Sequence, residues 1–283
     1  MKSQIIPIIE TAELLKLYQN ENVIIVDASS GKNAKENYFI KHLDNALYID
    51  LNSQLAVLPS DFADGGRHPL PSIEKFAETL QQLGITNDSH VIVYDDKSGA
   101  NAAARFWWML KSIGHEKVQV LNGGIQEADK VNFPINNNNE IPKTVEPYKF
   151  EDWKLHTAEI NEVEKHSLNN NYIVIDVREN NRYRGEIEPI DLVAGHIPGA
   201  INVPFSTNLN ENGQFLSPME LKVKYQTIFG NIKSENIIIH CGSGVTACHS
   251  LLAIDYAGLQ IPKLYVGSWS EWSRNNKKIA TDI

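Results

Sequence analysis

A chain of 283 residues is longer than one hydrophobic core usually fills, about 250 residues, and its 42% hydrophobic and 22% charged side chains form an ordinary globular composition, so two domains are expected. The formal net charge of −9 excludes a nucleic-acid backbone as partner, because phosphate binding needs a basic footprint. No stretch reaches the roughly 20 apolar residues of a membrane span, and the early run Ile5, Ile6, Ile8, Ile9, broken by Pro7, is too short for a secretory leader, which leaves the cytoplasm as the expected location and no membrane as partner.

Along the chain, Val23-Ile24-Ile25-Val26-Asp27 predicts a short buried strand closed by a carboxylate. A turn of the form His42-Leu43-Asp44-Asn45-Ala46 follows. Val91 to Asp95 predicts a second strand, and Ala103, Phe106, Leu110 and Ile113 are spaced for one helical face with Gly114 as the stop. Val118 to Leu121 gives a third strand before Gly123-Gly124. Residues 136–150, with four consecutive asparagines (Asn136 to Asn139), Pro142 and Pro147, have the composition of a linker.

The same series then runs again. Tyr172 to Asp176 repeats the first strand, His196-Ile197-Pro198-Gly199-Ala200 the turn, and Ile237-Ile238-Ile239-His240-Cys241 the second strand. Ala247, Leu251 and Ile254, stopped by Gly258, repeat the helix, and Leu264 to Val266 before Gly267 the third strand. Short apolar strands alternating with helices indicate βαβ units and parallel sheets covered on both faces. The expected architecture is therefore a tandem pair of α/β domains, residues 1–135 and 151–283, each a central, mostly parallel sheet flanked by helices.

The copies differ where a parallel sheet places its chemistry, at the carboxyl ends of the strands. The first has Asp95 there and the second Cys241. The loop Cys241-Gly242-Ser243-Gly244-Val245-Thr246 runs from strand to helix, and its two glycines let successive backbone N–H groups curl inward. Together with the helix N-terminus such a ring favours the thiolate, the reactive form, and suits a bound persulfide. An arbitrary cysteine is more often an inert core residue. Glycines flanking it between strand and helix reverse those odds, since they cost stability in either element. Cys248 lies within the helical pattern and reads as packing. About two helical turns, ~10 Å, separate the two cysteines, too far for a disulfide. Thr246 reads as a helix cap. His42, His196, Asp27 and Asp176 recur in both copies and read as structural, and His240 points to the opposite face of its strand.

The loop Cys-Gly-Ser-Gly-Val-Thr-Ala resembles the active-site loop of the mercaptopyruvate branch of the rhodanese family. Arg105 to Leu110, Leu121 to Gly124, Gly195 to Ala200 and Gly267 to Trp272 resemble family segments in the same order, so the resemblance covers nearly the whole chain. It implies two rhodanese domains, an active C-terminal one with its site in the interdomain cleft, and a sulfurtransferase in which Cys241 carries sulfur between a small anionic donor and a thiol, cyanide or thioredoxin-like acceptor. No metal or organic cofactor is implied. The family places a carboxylate-binding arginine at Arg182, where a planar guanidinium can grip with two hydrogen bonds; without the resemblance Arg182 is a solvated loop residue. Ser243 either donates to the sulfur or substrate or bonds to its own loop. Asp50 and His68 match family positions near the cleft, and a histidine there can polarise substrate or move a proton. Gly242, Gly244, Val245 and Thr246 contribute main-chain N–H groups.

One departure stands out. A second arginine, common in this branch shortly before the Gly-His-Ile-Pro segment, is replaced by Glu188-Pro189-Ile190-Asp191, with Ile190 the nearest counterpart. Thiosulfate enzymes, however, place basic residues inside the cysteine loop, and this loop has none. Mercaptopyruvate is therefore the favoured donor and thiosulfate the alternative. A cysteine phosphatase requires Cys-x5-Arg, and that position is Ala247. A silent, partner-binding module is disfavoured by the retained Cys241.

Overall fold

A computed structural model describes residues 5–282. It divides into two compact units. The first comprises the chain up to Ala56, Pro71–Lys154 and Glu211–Gln214; the second comprises Val57–Leu70, Leu155–Asn210 and Phe215 onward.

In the first unit the elements run β1 (Ile8–Ile9), α1 (Thr11–Leu17), β2 (Val23–Asp27), α2 (Ala34–Ile40), β3 (His42–Leu43), β4 (Ala46–Tyr48), α3 (Leu51–Gln54), α4 (Ile73–Gln82), β5 (His90–Tyr94), α5 (Ala103–Ser112), β6 (Val118–Leu121), α6 (Gly124–Lys130) and β7 (Ile135–Asn136). Five strands form a parallel sheet in the order β1-β6-β5-β2-β4, and β3 pairs antiparallel with β7. Strands buried on both faces read as unbroken apolar runs, which is why Val23 to Val26 and Val91 to Val93 show no alternation. Ile9, Leu14, Ile25, Ile92, Tyr94, Leu121 and Phe133 meet in one core.

The second unit repeats the plan with α7 (Ile160–His166), β8 (Ile173–Asp176), α8 (Asn180–Arg184), β9 (Ile201–Asn202), α9 (Pro218–Phe229), β10 (Ile237–His240), α10 (Ala247–Tyr256), β11 (Lys263–Leu264) and α11 (Ser268–Trp272). Its parallel sheet has the order β11-β10-β8-β9, which superimposes in sequence logic on β6-β5-β2-β4. The counterpart of β1 shrinks to one parallel bridge, Thr157 to Leu264, and that of β3–β7 to one antiparallel bridge, His196 to Ala280. Val174, Ile197, Ile238, Tyr265, Trp269 and Trp272 form its core.

The predicted strands and both helices after the second strand are present, with β8 starting one residue later than read, β5 and β10 ending one residue before Asp95 and Cys241, and β11 at Lys263–Leu264 rather than running to Val266. Residues 136–150 differ from the linker reading. Asn136 pairs with His42, and Tyr148 and Phe150 join Phe76 and Trp153 in an aromatic cluster of edge-to-face and tilted contacts, so the segment packs onto the first unit. Burying such rings contributes about 1.5–3 kcal/mol each, enough to order a chain that its asparagines and prolines alone would leave loose.

The repeat-related residues are structural in both units. His42 donates its Nδ1–H to the Tyr38 carbonyl at 2.7 Å and stacks on the Tyr38 ring; His196 does the same with Tyr183 at 2.8 Å. Asp27 receives the Ser29 N–H, and Asp176 the Arg178 N–H and guanidinium.

Candidate active site

Cys241 follows directly on β10, at the carboxyl end of the sheet. Its loop spans residues 241–246 and enters α10 at Ala247. The Cys241 carbonyl accepts the Trp269 N–H at 3.0 Å, and the Gly242 carbonyl accepts the Ser270 N–H at 2.8 Å. In a trans peptide the N–H points opposite to the C=O. Tying these two carbonyls to α11 therefore turns the N–H groups of Gly242 and Ser243 to the other side of the loop. The Cys248 thiol, 3.4 Å from the Gly244 carbonyl, adds a third tie, so Cys248 holds the loop as well as filling space. The Cys241 N–H donates to Ser268 Oγ at 3.1 Å. Gly244 is needed twice over: its φ is +70°, and a Cβ there would lie 2.5 Å from the Val266 carbonyl oxygen.

Residues 57–70 lie in the first half of the sequence but pack within the second unit. The Val57 N–H closes the loop on the Pro69 carbonyl at 3.1 Å, in the manner of an Ω-loop. Gly65 N–H donates to Glu271 Oε1 and Arg67 N–H to Ser270 Oγ, each at 3.1 Å. A Cβ on Gly66 would stand 2.4 Å from the Gly267 carbonyl oxygen, so only glycine permits this approach. Helix α11 thus joins the cysteine loop to the 57–70 loop. Two side chains reach the cysteine loop from there. His68 Nδ1 is 2.8 Å from Ser243 Oγ, and Arg67 Nη2 lies 3.2 Å from where a Gly242 Cβ would be.

Arg182, from α8, brings its Nη2 to 3.7 Å from the same point. Both guanidiniums are held by buried carboxylates. Asp191, whose side chain is fully buried, pairs with Arg67, Arg182 and Arg274; Glu188 pairs with Arg182 and Arg178. Burial pushes the Glu188 carboxyl up, but the Arg182 guanidinium and the N–H groups of Asp191 and Ile190 outweigh it and hold Glu188 below its ordinary range. The Arg182–Glu188 contact is bidentate, at 2.6 and 3.2 Å.

The model of the Rhodanese-like domain matches residues 10–130 and again 159–275. The chain belongs to the rhodanese family. A probable 3-mercaptopyruvate sulfurtransferase of Pseudomonas aeruginosa is 37% identical over 238 residues, 83% of this chain and 82% of that protein. A thiosulfate sulfurtransferase of Gallus gallus is 34% identical over 255 residues, 88% and 85% of the two chains. The solved 3-mercaptopyruvate sulfurtransferase from Leishmania major matches with a TM-score of 0.81 at 28% identity, covering 94% of this chain and 74% of that one. The chain is accordingly a rhodanese-family sulfurtransferase with two rhodanese-like domains, most like the mercaptopyruvate enzymes.

Within this rhodanese, the structure brings together Cys241, Gly242, Ser243, His68 and Arg182. Asp50 belongs to the first unit, where its carboxylate caps α3 by accepting the Ser53 N–H and hydroxyl. Thr246 occupies the N-cap position of α10 in helical backbone conformation and makes no side-chain cap bond, unlike the cap predicted for it. Arg184 is a surface residue paired with Glu186. Cys241 is buried, with 3% of its surface exposed. Sequence reasoning missed Arg67, Glu188 and Asp191. Arg67 adjoins His68 in Arg67-His68-Pro69-Leu70-Pro71, and that adjacency was the one available signal.

Proposed function

We propose that Cys241 carries the transferred sulfur as a persulfide, taken from 3-mercaptopyruvate in preference to thiosulfate and handed to a thiol or to cyanide. The observation that carries this reading is the loop itself: a lone thiol at a strand end, its loop carbonyls tied back to α11, with the Ser243–His68 pair and Arg182 at its edge.

The Cys241 thiolate attacks the donor sulfur, and a new S–S bond forms as the C–S bond of mercaptopyruvate breaks. The electron pair moves to carbon as the enolate of pyruvate, which takes up one proton. Ser243 and His68, bonded to each other beside the loop, are placed to relay that proton. With thiosulfate the S–S bond breaks and sulfite departs. An acceptor thiolate or cyanide then attacks the outer sulfur, and Cys241 returns as thiolate. Gly242, Ser243, Gly244, Val245 and Thr246 line the persulfide with main-chain N–H groups.

The absence of any cation among residues 242–246 supports mercaptopyruvate, whose carboxylate stands two carbons from the sulfur and meets a guanidinium beside the loop rather than in it. Thioredoxin-like proteins are suitable acceptors by thiol exchange. Cys241 and Cys248 are both reduced thiols, which suits a reducing, cytoplasmic setting, and no helix among the described residues is long and apolar enough to cross a membrane.

The test is turnover with each donor, for wild type and Cys241→Ser, with intact-mass measurement of the donor-treated protein. One added sulfur is expected on the wild type alone. Undiminished turnover in the serine variant would falsify the assignment of the nucleophile.

A further inference from the structure

We infer that Arg67 is a donor-binding residue: with Arg182 it grips the anionic end of the sulfur donor, from a slot that the bare Gly242 leaves beside Cys241. The inference rests on the persulfide reading for the identity of the donor, and on geometry for the residue.

Arg67 starts from a fixed backbone. Its N–H is held by Ser270 Oγ, the preceding glycine is pressed against Gly267, and the ends of its loop are tied together. Its Nη1 is bonded to Asp191 Oδ1, and this orients Nη2 toward Gly242. Arg182 arrives from a different element, is oriented by Glu188 and the other Asp191 oxygen, and points at the same place. Two guanidiniums therefore converge next to the nucleophile, steered by one buried carboxylate.

Gly242 needs no left-handed backbone, unlike Gly244, so what its missing side chain supplies is room. That room is bounded by Arg67 Nη2, Arg182 Nη2 and Asp191 Oδ2 at 3.2, 3.7 and 3.7 Å from the position a Cβ would take. The ion-paired network around it sets four guanidiniums (Arg67, Arg178, Arg182, Arg274) against three carboxylates (Asp176, Glu188, Asp191). One positive charge is left unmatched within that network, which a carboxylate of the donor balances. Arg67 and Arg182 remain 15% and 16% exposed while the side chain of Asp191, which also borders the room, is closed to solvent, so the cations are the charges open to an entering molecule. The exposed Ile190, by contrast, brings no charge.

A purely structural Arg67 would latch the 57–70 loop and nothing more. Two measurements separate the roles, using Arg67→Met, which keeps the apolar stem and leaves Asp191 paired with Arg182 and Arg274. The first is alkylation of Cys241 by anionic iodoacetate relative to neutral iodoacetamide. The ratio is expected to fall about tenfold or more in the variant, and an unchanged ratio overturns the inference whether or not Cys241 carries persulfide. The second is turnover with mercaptopyruvate and with its uncharged analogue mercaptoacetone. KM for mercaptopyruvate is expected to rise about tenfold to a hundredfold at unchanged kcat, with mercaptoacetone unaffected. Equal losses with both donors mark a latch and also overturn it. Failure of wild-type Cys241 to take up sulfur from mercaptopyruvate would instead remove the persulfide reading and leave the alkylation result to decide Arg67.

Discussion

After β5 the chain turns into its helix around a carboxylate, and after β10 it makes the same turn around a thiol. In the first unit Asp95 Oδ1 accepts the N–H groups of Lys97 and Gly99 at 2.9 and 2.8 Å, and Oδ2 those of Asn101 and Ala103 at 3.0 and 3.1 Å. The loop has supplied its own anion, and no main-chain donor in that set is left for a substrate. In the second unit the residue at the strand end is shorter and carries sulfur, and the loop is held from outside by α11 through its carbonyls. On the persulfide reading proposed above, the difference teaches that a cradle of main-chain donors serves catalysis only when its occupant is exchangeable. A covalently tethered carboxylate makes the same cradle a structural joint.

The most direct way to break this contrast is Cys241→Asp, which gives the second loop the occupant of the first. Turnover is expected to fall at least about a thousandfold with every donor, with no sulfur gained in intact-mass measurement. Circular dichroism should show a folded protein, because an equivalent carboxylate is accommodated in the other unit. Retained sulfur transfer would mean that the thiol is not the carrier.

Next in size is the converse change, Asp95→Ala. Four buried N–H groups lose their acceptor at once, and an unsatisfied buried donor costs about 1–3 kcal/mol before relaxation. A loss of about 4 kcal/mol is expected, read as a drop in thermal midpoint, while mercaptopyruvate turnover at low temperature stays near wild type. An unaltered midpoint would show that the loop conformation does not depend on its anion.

Asp95 also gives the comparison a pH signature. Burial raises its carboxyl from 3.8 to about 6, against the opposing pull of the N–H groups of Lys97, Ala103 and Gly99. A folded-state value above the unfolded one means that the protonated form stabilises. That contribution is full below about pH 3.8 and is lost as the pH rises through about 6. Asp95→Asn cannot titrate. Between pH 7 and about pH 4 the stability difference should therefore move toward the wild type by about 2 kcal/mol. A pH-independent difference would mean that Asp95 is as acidic as a surface carboxylate.

These contrasts were partly legible in the residues. The strand ends Asp95 and Cys241 could be aligned because parallel strands buried on both faces leave short apolar runs that a reader can match, and the loop glycines mark positions where the backbone must curl. Asp95 as a self-made plug was not legible, since hydrogen bonds from residues 97 to 103 follow no sequence period. Arg67 and Asp191 are 124 positions apart and meet only because the 57–70 loop packs with the second unit, so no local pattern could pair them. The stretch 136–150 misled because asparagines and prolines dominate its composition while Tyr148 and Phe150 dominate its energetics. The depth of Cys241 depends on side chains from several elements, which a strand-turn-helix pattern does not encode.

The smallest effects test the part of the repeat read as structural in both copies. Tyr38 donates its hydroxyl to the Ala46 carbonyl at 2.7 Å and stacks on His42; Tyr183 donates to the Ala200 carbonyl at 2.6 Å and stacks on His196. Burial pushes both phenols up to about 12, so they remain donors throughout the useful pH range. Tyr38→Phe and Tyr183→Phe each remove one hydrogen bond to a carbonyl and keep the ring, and each should cost about 1–1.5 kcal/mol by thermal unfolding. Equal costs support two equivalent joints. Activity separates them more finely. Tyr183 shares α8 with Arg182, whose guanidinium stands beside Gly242, whereas nothing on α2 has that position. A rise in KM confined to Tyr183→Phe would show that the joint in the second unit also aims the arginine, and unchanged KM in both variants would leave the two joints purely architectural.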